Sequence, residues 1–198
     1  MTGSLVVISQ RRDPTGPPHN EIRDALDSRL AAFVIAAGGL PVPVPSALVA
    51  ADSGAWLQRV RPDAVLLSGG SDIGTDAVRD RLDLTLIAYA QTHRLPLLGI
   101  CRGMQILAHA AGATLKALGD HVATRHRISG EIAREVNSYH ALVPAAVPDG
   151  YRILARAEDG AIEAIAHETL PWEGWMWHPE REETFDPRDI DRLERILA

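Results

Sequence analysis

The 198-residue sequence predicts an α/β fold: a central, mostly parallel sheet with helices on both faces and antiparallel strands added late in the chain. Three observations predict it. Residues 5–9, 63–68 and 95–100 are short, nearly continuous apolar runs, the pattern of strands buried on both faces. Helical periodicity separates or follows them, and strand alternating with helix three times gives parallel neighbours joined by crossovers. In the second half the pattern changes to short β-like runs punctuated by turn signals such as Pro148-Asp149-Gly150 and Glu158-Asp159-Gly160.

Taken in order, residues 5–9 (LVVIS) form the first strand, and a polar loop with proline and glycine follows. From about residue 21 to 37, Ile22, Ala25, Leu26, Leu30, Phe33, Val34 and Ala37 recur at three- and four-residue steps, which marks one face of a helix. Gly38-Gly39 ends it. Residues 40–45 suit an edge strand, because their prolines cannot donate to a central ladder. The run 63–68 stops at Gly69-Gly70, residues 82–89 with their flanks read as a helix to His93, and 95–100 is the third buried strand. A helix over 102–111 follows and Gly112 terminates it. Residues 135–137, 151–156, 161–167 and 174–177 are expected to be antiparallel hairpin strands. Repeats, low-complexity tracts and linkers are absent from the sequence, so residues 1–198 are expected to be one domain.

Twenty basic against 26 acidic residues give a formal charge of −6, which excludes a basic module for nucleic acid or anionic membrane. The single cysteine, Cys101, can form neither an internal disulfide nor a multi-thiolate metal site. The first ten residues lack a signal-peptide pattern, and no apolar run approaches the roughly 20 residues of a membrane span. A cytoplasmic protein is expected.

Gly99-Ile100-Cys101-Arg102-Gly103 lies where a buried strand meets a helix, with glycine two residues on either side of the cysteine. A sharp strand–nucleophile–helix turn needs such small neighbours, and a helix N-terminus favours a thiolate. A lone cysteine is also often a small core residue. His178, in Trp177-His178-Pro179-Glu180, stands at the end of an apolar run with a carboxylate two residues on, which suits a base and its orienting partner. Spacing alone leaves His178 and His140 equally open to a structural role. Gly69-Gly70 lets main-chain N–H groups approach a ligand, as an oxyanion hole requires, and equally suits an ordinary turn. Thr75-Asp76 stands where a phosphate loop needs Lys-Ser/Thr, and no dinucleotide fingerprint follows a strand. His121 and His126 lack a nearby carboxylate pair, so neither a metal nor any other cofactor is expected. Gln10, Arg11 and Arg12 follow the first strand and belong at the carboxyl-end rim of a parallel sheet. Arg23 would lie near the start of the next helix. Arginine there is either solvated surface or a partner for phosphate oxygens.

In the order Gly-Gly, Cys, His-x-Glu, the sequence resembles the class I glutamine amidotransferase-like superfamily. The resemblance spans residues 63–180 and rests on Ser68-Gly69-Gly70-Ser71-Asp72, residues 96–105, Glu135-Val136-Asn137-Ser138-Tyr139-His140, residues 159–165 and Trp177-His178-Pro179-Glu180. It implies the flavodoxin-like fold of that superfamily and a Cys101–His178–Glu180 triad that attacks a γ-glutamyl carbonyl through a thioester. The implied oxyanion hole is made by main-chain N–H groups at Gly70 and Arg102. Gln105 and Asn137-Ser138-Tyr139 match positions that hold the α-amino and α-carboxylate ends of the glutamyl group. Residues 99–105 with 136–140 are most similar to free-standing γ-glutamyl hydrolases of the γ-glutamyl-γ-aminobutyrate type. Ile8-Ser9-Gln10-Arg11 and residues 21–27 look more similar to γ-glutamyl-CDP-amidate hydrolases of capsule biosynthesis, whose substrate is nucleotide-linked. The implied partner is a small γ-glutamyl compound. The alternatives are a glutaminase subunit that delivers ammonia to a synthetase, and a non-catalytic protein keeping the fold.

Overall fold

The computed structural model describes residues 3–198. In chain order the elements are β1 (Leu5–Ser9), β2 (Arg11–Pro14), β3 (Ile22–Ala25), α1 (Ser28–Ala36), β4 (Leu40–Val44), α2 (Ser53–Val60), β5 (Ala64–Leu67), α3 (Ala77–His93), β6 (Leu97–Ile100), α4 (Arg102–Ala110), β7 (Leu115–Ala117), β8 (Val122–Gly130), β9 (Arg134–Tyr139), β10 (Leu142–Pro144), β11 (Tyr151–Ala157), β12 (Ile162–His167), β13 (Trp172–Trp175) and α5 (Pro187–Leu197). Single 3-10 turns lie at Ser46–Val49 and Pro179–Arg181.

Nine strands form one sheet in the order β4-β1-β5-β6-β13-β12-β11-β8-β9. It is parallel from β4 to β13 and antiparallel from β13 to β9. The apolar runs lack alternation because both of their faces are covered. Val7, Val65, Leu67 and Leu97 point into a core shared with Leu82 and Leu86 of α3 and Met104 of α4. Their neighbours Val6, Ile8, Leu66, Leu98 and Ile100 pack against Leu30 and Phe33 of α1 and Leu193 of α5.

The structure corrects three readings. The helix expected over 21–37 is α1 alone, capped by the Asp27 side chain, which accepts from Arg29 N. The residues before it, and the polar loop after β1, instead make the β2–β3 hairpin, with Arg11 opposite Ala25 and Pro14 opposite Ile22. Ile22 and Ala25 fit a helical period by coincidence: Ile22 is 61% exposed on the hairpin. Arg23 accordingly lies in β3, paired with Glu21, and not at a helix start. Finally, the strand expected over 174–177 is β13, two residues earlier. It is antiparallel to β12 but parallel to β6, so it joins the two halves of the sheet.

Helix α4 sits on the sheet through backbone contact. A Cβ at Gly103 would lie 2.0 Å from Leu67 O, and one at Gly99 2.5 Å from Gly103 C. Neither neighbour is a side chain that can swing away. Gly103→Ala is therefore expected to destabilise the fold by about 1–3 kcal/mol, the range of overpacked cores, and to lower Tm. Gly119→Ala, where nothing lies within 4 Å of the added carbon, is the control and should leave Tm nearly unchanged.

Candidate active site

The parallel half of the sheet ends three strands side by side. Leu67 of β5 is in register with Gly99 of β6, and Trp175 of β13 with Ile100. The segments leaving these strands, Ser68-Gly69-Gly70, Cys101 and Met176-Trp177-His178, therefore emerge together at the carboxyl edge, where open α/β sheets hold their ligands.

Cys101 occupies the turn between β6 and α4 with φ +52 and ψ −108, a conformation that a residue with a Cβ rarely adopts. Its N–H donates to Trp175 O at 2.7 Å, which ties the turn to β13. Here the side chain is 7% exposed and faces a cleft of about 430 Å³. As the first residue of α4, Arg102 has no intrahelical acceptor for its N–H. Its guanidinium, by contrast, is buried below, paired with Asp80 and Asp83. Gly70 packs over that side chain, with Arg102 Cδ 3.5 Å from where its Cβ would be.

His178 and Glu180 are both buried, with Nδ1 and Oε1 2.6 Å apart. Gly69 lies flat against the imidazole, since a Cβ there would be 2.8 Å from His178 Cε1. Burial alone would lower the His178 pKa, but the hydrogen bonds and negative charge of Cys101 and Glu180 overcome it and raise the value to about 9. Arg29 of α1 holds the turn carrying Glu180, donating from Nε to Glu180 O at 2.7 Å.

Among the four residues matched to glutamyl binding, only Tyr139 lines the cleft, with its ring edge-on to His178. Asn137 is buried and grips the His178 main chain from both sides: Nδ2 donates to His178 O at 2.8 Å and Oδ1 accepts from His178 N at 2.9 Å. Ser138 points to the other face of β9, where Oγ donates to His121 O. Gln105 is likewise buried outside the cleft, donating to Leu142 O. Gln10 turns away and donates to Val44 O at 3.1 Å, securing β4. The cleft wall instead comes from the hairpin: Arg11 and Asp13, ion-paired at 2.9 Å, with Asp27 and Arg181 beyond them. Arg12 pairs with Asp76. His140 lies outside the cleft beside His121, and its pKa is about 3, lowered by burial and the neighbouring imidazoles.

Two supports were not read from the sequence. One is the Asn137 clamp. The other is a buried network in which Arg79 pairs with Asp83 at 2.9 Å and donates from Nη2 to Ser68 O at 2.9 Å, fixing the Gly69-Gly70 loop to α3. The i,i+4 spacing of Arg79 and Asp83 was the available signal, but on sequence alone it describes an exposed helix pair equally well.

Residues 34–193 match the family model described as glutamine amidotransferase class-I. The γ-glutamyl-CDP-amidate hydrolase of Campylobacter jejuni is 31% identical over 125 residues, 60% of this chain and 62% of that protein. The glutamine-hydrolysing GMP synthase of Thermus thermophilus is 34% identical over 148 residues, covering 69% of this chain but 28% of the synthase. A γ-glutamyl-γ-aminobutyrate hydrolase of Escherichia coli O157:H7 is 29% identical, covering 74% of this chain and 75% of the enzyme. The crystal structure of a glutamine amidotransferase from Thermotoga maritima superposes with a TM-score of 0.67 at 14% identity, covering 98% of this chain and 93% of that one.

Proposed function

Because the chain belongs to the class I glutamine amidotransferase family, we propose that it is a thiol hydrolase that releases glutamate from a γ-glutamyl amide, with Cys101, His178 and Glu180 as its triad. The observation that carries this reading is the convergence of the strained Cys101 turn and the Glu180-bound His178 in one cleft. Cys101 Sγ attacks the γ-carbonyl carbon. The developing oxyanion is met by the Gly70 and Arg102 N–H groups. The proton held by His178 passes to the departing nitrogen as the C–N bond breaks, leaving a thioester on Cys101. Water then gives a proton to His178 and attacks the thioester, which frees glutamate and returns the proton to the Cys101–His178 pair. Glu180 keeps the imidazole oriented and takes no part in bond making.

The cleft wall pairs cations with anions, which suits an amino-acid zwitterion: Arg181 for carboxylate, Asp13 and Asp27 for ammonium. Arg11 is about half exposed at the mouth, where a leaving group would lie. A nucleotide-linked phosphoramidate, the kind of substrate named for the Campylobacter relative, would place phosphate oxygens there. Arg11→Ala is then expected to raise KM for such a compound about 10- to 100-fold, a loss of about 1.5–3 kcal/mol, with little change for glutamine. Equal effects on both, or no cleavage of the nucleotide compound by the parent enzyme, would return the reading to a general γ-glutamyl amide hydrolase. Mass spectrometry of products from a panel of γ-glutamyl amides tests the reaction itself, which requires free glutamate.

The similarity to a glutamine-hydrolysing synthase favours a second reading, an ammonia-delivering glutaminase subunit. Slow glutamine hydrolysis that a synthetase partner accelerates strongly would establish it.

A further inference from the structure

Outside the cleft, three imidazole nitrogens converge on one buried carboxylate oxygen. His121 Nδ1, His126 Nε2 and His140 Nε2 lie 3.4, 3.3 and 3.4 Å from Glu163 Oε1. His121 Nδ1 and His140 Nε2 are 3.0 Å apart. Glu163 is 0% exposed, yet among the described residues neither of its oxygens has an aligned hydrogen-bond partner, nor does either ring nitrogen of His126. A fully buried carboxylate without donors is costly, so something other than these misaligned contacts must satisfy it.

The spacing suits a bound cation. Four ligands at about 2.0–2.1 Å from a tetrahedral zinc ion stand about 3.3 Å from one another. The three distances to Glu163 match that edge, and the potential ligand atoms of His121, His126 and Glu163 all lie within 4.8 Å of each other. The surroundings agree as well. On its other nitrogen, Nε2, His121 meets Asp159 Oδ2 at 3.0 Å, and Asp159 is itself fixed by accepting from Ala161 N. Such a carboxylate behind a liganding imidazole sets its tautomer and strengthens it as a donor.

We propose that His121, His126 and Glu163 bind one zinc ion that ties β8 to β12, with His140 packed beside the site. Two imidazole nitrogens and one carboxylate oxygen suit zinc over hard, oxygen-seeking cations. None of the four residues lines the Cys101 cleft, so the ion takes no part in the chemistry there. It acts through β9: Ser138 is bonded to His121 O, while the preceding residue, Asn137, clamps His178. The spacing argument against a metal weighed only carboxylates near His121 and His126 in sequence, whereas the fold brings Glu163 from another strand.

Elemental analysis of the purified protein, prepared without metal-affinity resin, should find about one zinc per chain, and the Cys101→Ser variant should keep it. Glu163→Gln and His126→Asn should lose most of it. Asp159→Asn, which leaves the ligands in place, should weaken zinc about 10- to 100-fold in competition with a chromophoric chelator. Prolonged chelation should lower Tm, zinc should restore it, and cobalt should give the visible spectrum of a four-coordinate nitrogen–oxygen site. Brief chelation should leave the initial rate unchanged. A folded parent protein with under about a tenth of a zinc per chain, and no rise in Tm on adding zinc, would reduce the cluster to a buried polar network. Zinc retained in full by both Glu163→Gln and His126→Asn, or lost in Cys101→Ser, would place it elsewhere and overturn the proposal equally.

Discussion

Cys101→Ala is expected to lower kcat/KM for any γ-glutamyl substrate by about 10⁴- to 10⁶-fold, the scale seen when a hydrolase loses its nucleophile. The fold should survive, because alanine keeps the Cβ and removes only a nearly buried sulfur. A further variant separates catalysis from stability. At φ +52 a residue with a Cβ is strained, and glycine is not. Cys101→Gly should therefore be as inactive as Cys101→Ala yet more stable than it by about 1 kcal/mol. Steady-state kinetics and thermal melts on the pair check both statements. More than a few per cent of parental activity in either variant would remove Cys101 as nucleophile.

His178→Ala should be nearly as damaging, and combining it with Cys101→Ala should cost little more than either change alone, since the two act as a unit. Glu180→Gln should be one to two orders of magnitude milder, roughly the gap between losing a base and losing its orienting partner. If Glu180→Gln proved worse than His178→Ala, the roles assigned here would be reversed. A pH effect accompanies this. The His178 pKa is raised in the folded protein to about 9, from an ordinary 6.5, by Cys101 and Glu180 acting against burial. The stability this contributes is fully present below pH 6.5 and is lost as pH rises through about 9. Urea melts across that window should show the parent losing stability relative to His178→Ala. A constant difference would mean that His178 gains no proton affinity on folding.

Much of this was legible in the sequence because it depends on local chemistry. A strand buried on both faces must be apolar throughout, so β1, β5 and β6 stand out from composition alone, and β4 declares itself an edge by its prolines. The turn holding Cys101 announces itself because Gly99 and Gly103 touch backbone and can be nothing larger. His178-Pro179-Glu180 was readable because the whole orienting contact spans two residues.

What escaped depends on partners far apart in the chain. The β2–β3 hairpin is fixed by pairing across a loop and by the Asp27 cap, neither of which changes the spacing of apolar residues that suggested a helix. Strand β8 has a single fully buried residue, Ile128, so it carries no hydrophobic signature. Asn137 looks like a ligand-binding residue until the end of β13 brings the His178 main chain onto both of its side-chain polar atoms. Gln10 could as well have faced the cleft as β4, and only the packing of the edge strand decides between them. The histidine–glutamate cluster is the extreme case: its members stand on β8, beside β9 and on β12, and only the antiparallel pairing of those strands brings these scattered polar residues together. The sequence by itself determined the buried strands β1, β5 and β6, the glycine-flanked turn at Cys101 and the pairing of His178 with Glu180. Tertiary structure decided which polar side chains face the cleft and which hold the scaffold, because hydrogen bonds depend on separations in space that the order of residues does not encode.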